Sequence, residues 1–298
     1  MVKRFTVLLS ALVLSASCGQ RPSGDLALRE DELKPAQLEV PAETMDEIIQ
    51  NIASPIEVAA LINALNIPFS KSYLAVPENL SSSTTSYEMA YSLGALSADL
   101  GYLNMYEKTG SAVNYLSAIN RLAEALQVGQ FFDFPTLKRL ATSSGNLDSL
   151  VFLSMNSFNR MDDYLRETDR SNLSALMVSG VWIEGLYLST QVARDNTSPE
   201  LRNMIGEQKL ILANLLLILQ NYSNEQFFKN LLADYDALKS LYDRVKITYE
   251  AGDPQAIEKD GMLMVVQTET SHVSMSDKIL NEIIETTKEI RNRHLNIQ

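Results

Sequence analysis

Apolar side chains recur every three or four residues along most of the chain from residue 85 onward, the spacing of helices that bury one face. The order Thr85-Ser86-Tyr87-Glu88 is that of a capping box, which opens a helix. No run alternates apolar and polar residues over a useful length, so the pattern predicts an all-α fold without strands. The predicted helices cover 85–108, 111–128, a short segment after Pro135, 147–165, 172–193 and a segment from Pro199.

The most regular spacing begins at Phe228 and continues to Tyr249, with steps of three and four residues between apolar positions. Such a seam is typical of a helix packed lengthwise against a neighbour. Asp253-Pro254 then has the order of a helix start, which predicts a last helical region to about Ile290. The seam residues are Phe228, Leu231, Tyr235, Leu238, Tyr242, Val245 and Tyr249, and the last region buries Val266, Val273, Leu280, Ile283 and Ile290.

Two segments of the helical region resemble each other. A shift of 85 positions places 95–103 over 180–188, so that Asp99 matches Glu184 and both segments end in Tyr-Leu. Each segment is followed by a turn, a second helix, a break and a third helix, which predicts an internal duplication of a three-helix unit. The two units would be 86–168 and 171–250.

The N-terminus has the order of a secretory leader. Lys3 and Arg4 precede an apolar stretch over 5–14, small residues occupy 15–17, and Cys18, the only cysteine, follows directly. This order predicts a lipoprotein signal peptide over 1–17 and a lipid on Cys18, which becomes the first residue of the mature protein. The usual lipobox has Leu three positions before the cysteine, where this chain has Ser15.

The segment after the leader lacks a sustained apolar period. Residues 18–40 are therefore expected to form a flexible tether that carries the folded part away from the membrane. Residues 41–298 are expected to form a single all-helical domain, either a multi-helix bundle or a short helical array. Residues 66–84 contain two prolines and a Ser/Thr cluster, which predicts a long loop within that domain.

The net charge of the chain limits the kinds of partner that it can bind. The chain has 25 basic and 37 acidic residues, a net charge of −12, so nucleic-acid phosphates and anionic lipid headgroups repel it. We therefore expect no nucleic-acid partner, and a membrane contact made through the lipid on Cys18. Since the mature chain has no second cysteine, it forms no internal disulfide and no cysteine metal site.

Two acidic residues stand on apolar helix stripes, where a carboxylate is costly to bury without a partner. Asp99 shares its stripe with Tyr102, and Glu184 shares its stripe with Tyr187. If the two related units pack together, these four residues form a cleft for a small ligand or a cation, or an acid pair with a raised pKa. Alternatively, each acid is structural and bonds a Tyr hydroxyl or an arginine. Arg160 and Arg121 are examples of such arginines.

No other motif in the sequence indicates a catalytic, metal or cofactor site. The histidines, His272 and His294, are too far apart for the i, i+4 pair of a helical zinc site, and Glu269 before His272 is a weak pair alone. The chain contains no G-x-S-x-G elbow, no P-loop and no G-x-G-x-x-G fingerprint. We therefore assign no catalytic residue, metal ligand or cofactor from the sequence. Trp182 is expected in the core or an interface, and the helical glycines Gly94, Gly101, Gly180 and Gly185 are expected at close helix contacts or beside a ligand.

The leader, the Ser15-Ala16-Ser17-Cys18 cleavage region and the acidic helical body resemble those of the uncharacterised all-helical lipoproteins of Bacteroidota. This class-level resemblance implies a cell-envelope location and transfers no active site. The sequence favours a non-catalytic binding or scaffold module that contacts an envelope protein through helical surfaces, with a receptor using the Asp99–Glu184 cleft as the alternative and an enzyme third. Gly19-Gln20-Arg21 lacks an acidic run, which favours an outer-membrane anchor facing the periplasm over surface exposure.

Overall fold

The computed structural model describes residues 65–141, 147–196, 198–259 and 262–297. The predicted signal peptide, the predicted lipidation site Cys18, the predicted tether and the first residues of the predicted domain lie outside the described residues. The described chain is predominantly helical, which confirms the predicted fold class. Its helices are α1 (Pro77–Leu80), α2 (Ser86–Met105), α3 (Thr109–Ala125), α4 (Phe134–Ala141), α5 (Leu147–Glu167), α6 (Ser171–Asp195), α7 (Pro199–Gln220), α8 (Gln226–Tyr242) and α9 (Asp277–His294).

Side-chain caps mark the starts of α2 and α7. Thr85 and Glu88 form the predicted capping box at the start of α2, with the Thr85 hydroxyl accepting from the Glu88 N–H. Ser198 caps α7 and Pro199 occupies its first turn, where a missing N–H costs nothing. The break between the predicted helices 85–108 and 111–128 lies earlier than predicted, because α2 ends at Met105 and α3 already begins at Thr109. The chain turns between the two helices at Glu107, which has a φ of 52°.

The body is built around α6. This helix buries residues 173–192 continuously and packs against α2, α5, α7 and α9. By length and composition it is the one described helix that would also be able to cross a bilayer, but here other helices cover it completely. Trp182 is buried as expected, with its Nε1–H donating to Gln208 Oε1 at 3.0 Å. The apolar character of α6 therefore fits its position at the centre of the core.

Helices α2 and α6 approach each other closely, and glycines make the approach possible. A Cβ at Gly94 would overlap the carbonyl oxygen of Met177, and a Cβ at Gly180 would overlap that of Tyr91. The two helices run parallel, since contacts near the start of one meet the start of the other and Asp99 lies level with Glu184. Asp99 and Glu184 are 85 positions apart, so their equal height in the structure agrees with the shift between the two similar segments. The duplication itself stays a prediction.

A β-hairpin stands where the sequence predicted helix. Strand β1 (Lys246–Lys259) pairs with β2 (Met262–Ser274) in an antiparallel two-stranded sheet, with an irregularity between Ala251 and Pro254. The prediction that the seam helix continues to Tyr249 was wrong, because α8 ends at Tyr242. The prediction of a helix from Asp253 was also wrong, and only α9 remains of it.

The hairpin has a sequence basis that helical spacing concealed. Thr, Val, Ile and Tyr are frequent between residues 246 and 274, and these side chains favour strands. Ile247 pairs with Val273 across the sheet, and Thr248 pairs with His272. His272 therefore lies on a strand, so the helical i, i+3 relation between Glu269 and His272 does not exist.

Candidate functional site

Asp99 and Glu184 meet inside the core, and both are completely buried. Glu184 Oε1 accepts from Arg291 Nη2 at 2.6 Å, and Glu184 Oε2 accepts from Arg291 Nε at 2.8 Å. The arginine partner thus comes from α9, not from Arg160 or Arg121, the examples that the sequence suggested. Two parallel bonds of this kind fix the guanidinium in one orientation and bind α9 to α6. We call Asp99, Glu184 and Arg291 the buried ionic cluster.

The surroundings of Asp99 favour its protonated form. Its Oδ2 accepts from the Ala75 N–H at 3.0 Å, while its Oδ1 is buried and has no donor in the described chain. Burial and, after it, the facing Glu184 carboxylate raise the pKa of Asp99 well above its usual value. Two facing carboxylates have only acceptor atoms, so they satisfy each other when one carries the proton. A protonated Asp99 donates to Glu184.

The charges of the cluster then cancel. Arg291 balances the single negative charge of Glu184, and protonated Asp99 is neutral. Burial lowers the pKa of Arg291, but the Glu184 carboxylate more than offsets this and raises it. The Arg291 guanidinium also lies 4.2 Å from the centre of the Tyr187 ring, a cation–π contact.

Residues 66–76 lie over the cluster as a hydrogen-bonded strap. The Ser70 N–H donates to Tyr102 Oη at 3.1 Å, and Tyr115 Oη donates to the Ala75 carbonyl at 2.5 Å. The predicted long loop is therefore ordered where it crosses the acids. It continues into the short helix α1, which the sequence did not predict.

The structure groups the four residues predicted to bind a ligand. Asp99, Glu184 and Tyr187 lie around Arg291, and Tyr102 neighbours Asp99 on α2 and holds the strap. All four are buried. Ligand binding by these residues stays a prediction, and the geometry supports a structural ionic cluster.

Asp99→Asn should stabilise the protein relative to the wild type as the pH rises above about 4. The folded pKa of Asp99 is raised, so the folded chain keeps a proton that the unfolded chain releases. The stabilisation by this proton is fully present below the pKa that Asp99 has in the unfolded chain. It is lost as the pH rises towards the pKa that Asp99 has in the folded chain. The loss is about 1.4 kcal/mol per pH unit. Asn keeps an acceptor for Ala75 and a donor for Glu184 without a proton to lose.

The measurement is urea denaturation of both proteins at a series of pH values. Asp163→Asn, which removes an exposed carboxylate on α5, is the matched control and should give no such pH-dependent gain. A difference between Asp99→Asn and wild type that stays constant with pH would show that Asp99 is ionised in the fold.

A second polar group was missed by sequence reasoning. His294 Nε2 lies 2.8 Å from Asp234 Oδ2, and Arg293 also bonds Asp234. These residues line a cleft of about 360 Å³ between α8 and α9. Burial lowers the pKa of His294, and Asp234 opposes part of that change. Asp234 is three residues after Leu231 and four before Leu238. This position beside the apolar seam is the sequence feature that could have indicated a partly buried acid.

Within the described chain, no three His, Cys, Asp or Glu side chains are grouped as ligands of a metal ion would be. Comparison of the chain with protein-family models, with curated proteins and with solved structures finds no match.

Proposed function

We propose that this protein is a lipid-anchored, non-catalytic binding or scaffold module of the cell envelope, and that its β1–β2 hairpin contacts a protein partner. The anchor is a lipid on Cys18, on an outer membrane, with the helical body facing the periplasm. The helical body serves as a rigid support. The hairpin is the observation on which the proposal rests.

The described contacts between the hairpin and the helices are at its base. Val273 packs against Gly206 on α7, Ser271 bonds Glu207, and Lys209 donates to the Val245 carbonyl at 2.8 Å. The sheet has two strands, so each strand has one edge without a strand partner in the described chain. Such an edge offers backbone N–H and C=O groups to an added strand, a common way of binding an extended peptide.

The alternative function, a receptor that binds a ligand or cation between Asp99 and Glu184, has less support. Arg291 already supplies the positive charge that such a cation would bring, and Ala75 occupies one oxygen of Asp99. A ligand would have to displace the strap to reach the acids. Removing the hairpin should abolish partner binding if the hairpin is the contact surface, whereas a receptor that binds between Asp99 and Glu184 does not use the hairpin.

The test is photo-crosslinking in the native envelope. A photoreactive phenylalanine at Tyr249, which is 54% exposed on β1, should give one adduct of defined mass. The matched position is Leu217, which is 51% exposed on α7 and should not give this adduct. Replacing 251–269 by Asn-Gly joins the cross-strand pair Glu250 and Thr270 through a two-residue turn and should remove the adduct.

An adduct that forms equally at Leu217, or one that survives the shortened hairpin, contradicts the partner role. Helical circular dichroism of the shortened protein checks that its body still folds. The anchor is tested in the same cells with labelled palmitate, whose incorporation and membrane recovery should be lost in Cys18→Ala. Retained label in Cys18→Ala contradicts the anchor alone and leaves the hairpin result to be judged separately.

A further inference from the structure

A separate cavity of about 80 Å³ lies between α2, α3, α5 and α6. Its walls are mostly apolar and include Leu100, Ile119, Phe158 and Val181. The volume is several times the 10–15 Å³ that one water molecule needs. Neither Asp99 nor Glu184 lines it, so it is not part of the buried ionic cluster.

Asn104 and Ser154 are polar residues of this mostly apolar wall. Asn104 is only 5% exposed and lines the cavity. Ser154 Oγ is buried and has no hydrogen-bond partner in the described chain. By contrast, Ser97 in the same wall donates to the Leu93 carbonyl at 2.8 Å, as a helical serine usually does. A hydrogen bond to the Asn104 amide would orient a ligand in this otherwise apolar wall.

The lining residues also indicate which ligand charge the cavity accepts and where a ligand could enter. No Asp, Glu, Lys, Arg or His is among the lining residues, so a charged group would enter without a counter-charge. Met155 lines the cavity and is 43% exposed, so the cavity reaches the surface. Phe152, one turn earlier on the same helix face, is 69% exposed and extends this apolar surface.

We propose that this cavity binds an uncharged amphiphile, whose apolar chain lies among α2, α3 and α5 and whose single amide or hydroxyl group pairs with Asn104. This activity is independent of the proposed partner binding, since the cavity and the hairpin share no residue. A pocket of apolar walls with a few polar groups that fix orientation is the usual form of a small-molecule site.

The experiment compares three probes of equal chain length by isothermal titration calorimetry with the full mature chain. Octanamide is neutral, octanoate is anionic and octylammonium is cationic. Octanamide should bind at one site, and the two charged probes should bind at least about tenfold more weakly, because a charge loses its hydration without a partner. Binding of all three probes with equal affinity, or no binding of octanamide, overturns the proposal.

Two variants locate the site. Asn104→Leu should weaken octanamide binding by about tenfold by removing the amide partner, and it retains a residue that favours helices. Ser154→Met fills the cavity and should weaken all binding. Asn156→Leu, at an exposed position of α5 outside the cavity, is the matched control and should leave binding unchanged. Octanamide binding that is undiminished in both Asn104→Leu and Ser154→Met also overturns the proposal.

Discussion

Arg291→Met should lower the free energy of unfolding by about 3–5 kcal/mol, because it leaves the buried Glu184 carboxylate without its counter-charge. The Arg291 side chain is 5% exposed and Glu184 is completely buried, so water does not replace the lost partner. The two bonds between them also join α9 to α6. Urea denaturation followed by circular dichroism measures the change.

Arg293→Met is the matched control on the same helix. Arg293 also pairs with an acid, Asp234, but its side chain is 59% exposed. Its removal should therefore cost less than about 1 kcal/mol. Equal losses in the two variants would mean that the buried ionic cluster contributes no more than a surface pair.

Gly180→Ala should destabilise the protein by about 3 kcal/mol or more, although alanine favours helices. An added Cβ would overlap the Tyr91 carbonyl oxygen and lie 2.9 Å from the Tyr91 carbonyl carbon. These are backbone atoms of α2, so no side chain can rotate to make room. The two central helices would have to move apart, which disturbs the packing around Asp99 and Glu184. Thermal unfolding and urea denaturation both report the loss.

Gly185→Ala provides the matched control within the same helix. A Cβ at Gly185 would meet no atom within 4 Å, so the substitution removes backbone freedom without a clash. We expect it to be neutral or to stabilise by up to about 1 kcal/mol. A similar loss for Gly180→Ala and Gly185→Ala would contradict the close contact between α2 and α6.

Local features of the fold were predictable because their causes lie within a few residues. The Thr85–Glu88 capping box, the helix start at Pro199 and the helical periods before Tyr242 appear in the structure. The hairpin was missed because Tyr235, Tyr242 and Tyr249 keep one spacing while the chain changes from helix to strand. Apolar residues seven apart fit a helix, and they also occur in strands whose side chains are not strictly alternating.

The candidate site was predictable in part. The shift of 85 residues placed Asp99 and Glu184 at equivalent positions, and the structure brings them together. Arg291 was missed, although it continues the stripe of Leu280, Ile284 and Thr287 on α9. A charged residue on an apolar stripe is the same signal that identified the two acids. The Asp234–His294 pair joins residues 60 positions apart, and no local pattern specifies that pairing.

The buried ionic cluster also bears on the order of folding. Ala75 and Asp99 are 24 residues apart, whereas Glu184 and Arg291 are 107 residues apart. Contacts of long sequence separation form late, because closing a long loop costs entropy before the contact is gained. The strap and the α2–α6 pair can therefore assemble while Glu184 still lacks its counter-charge. Docking of α9 then completes the core and supplies the counter-charge of Glu184.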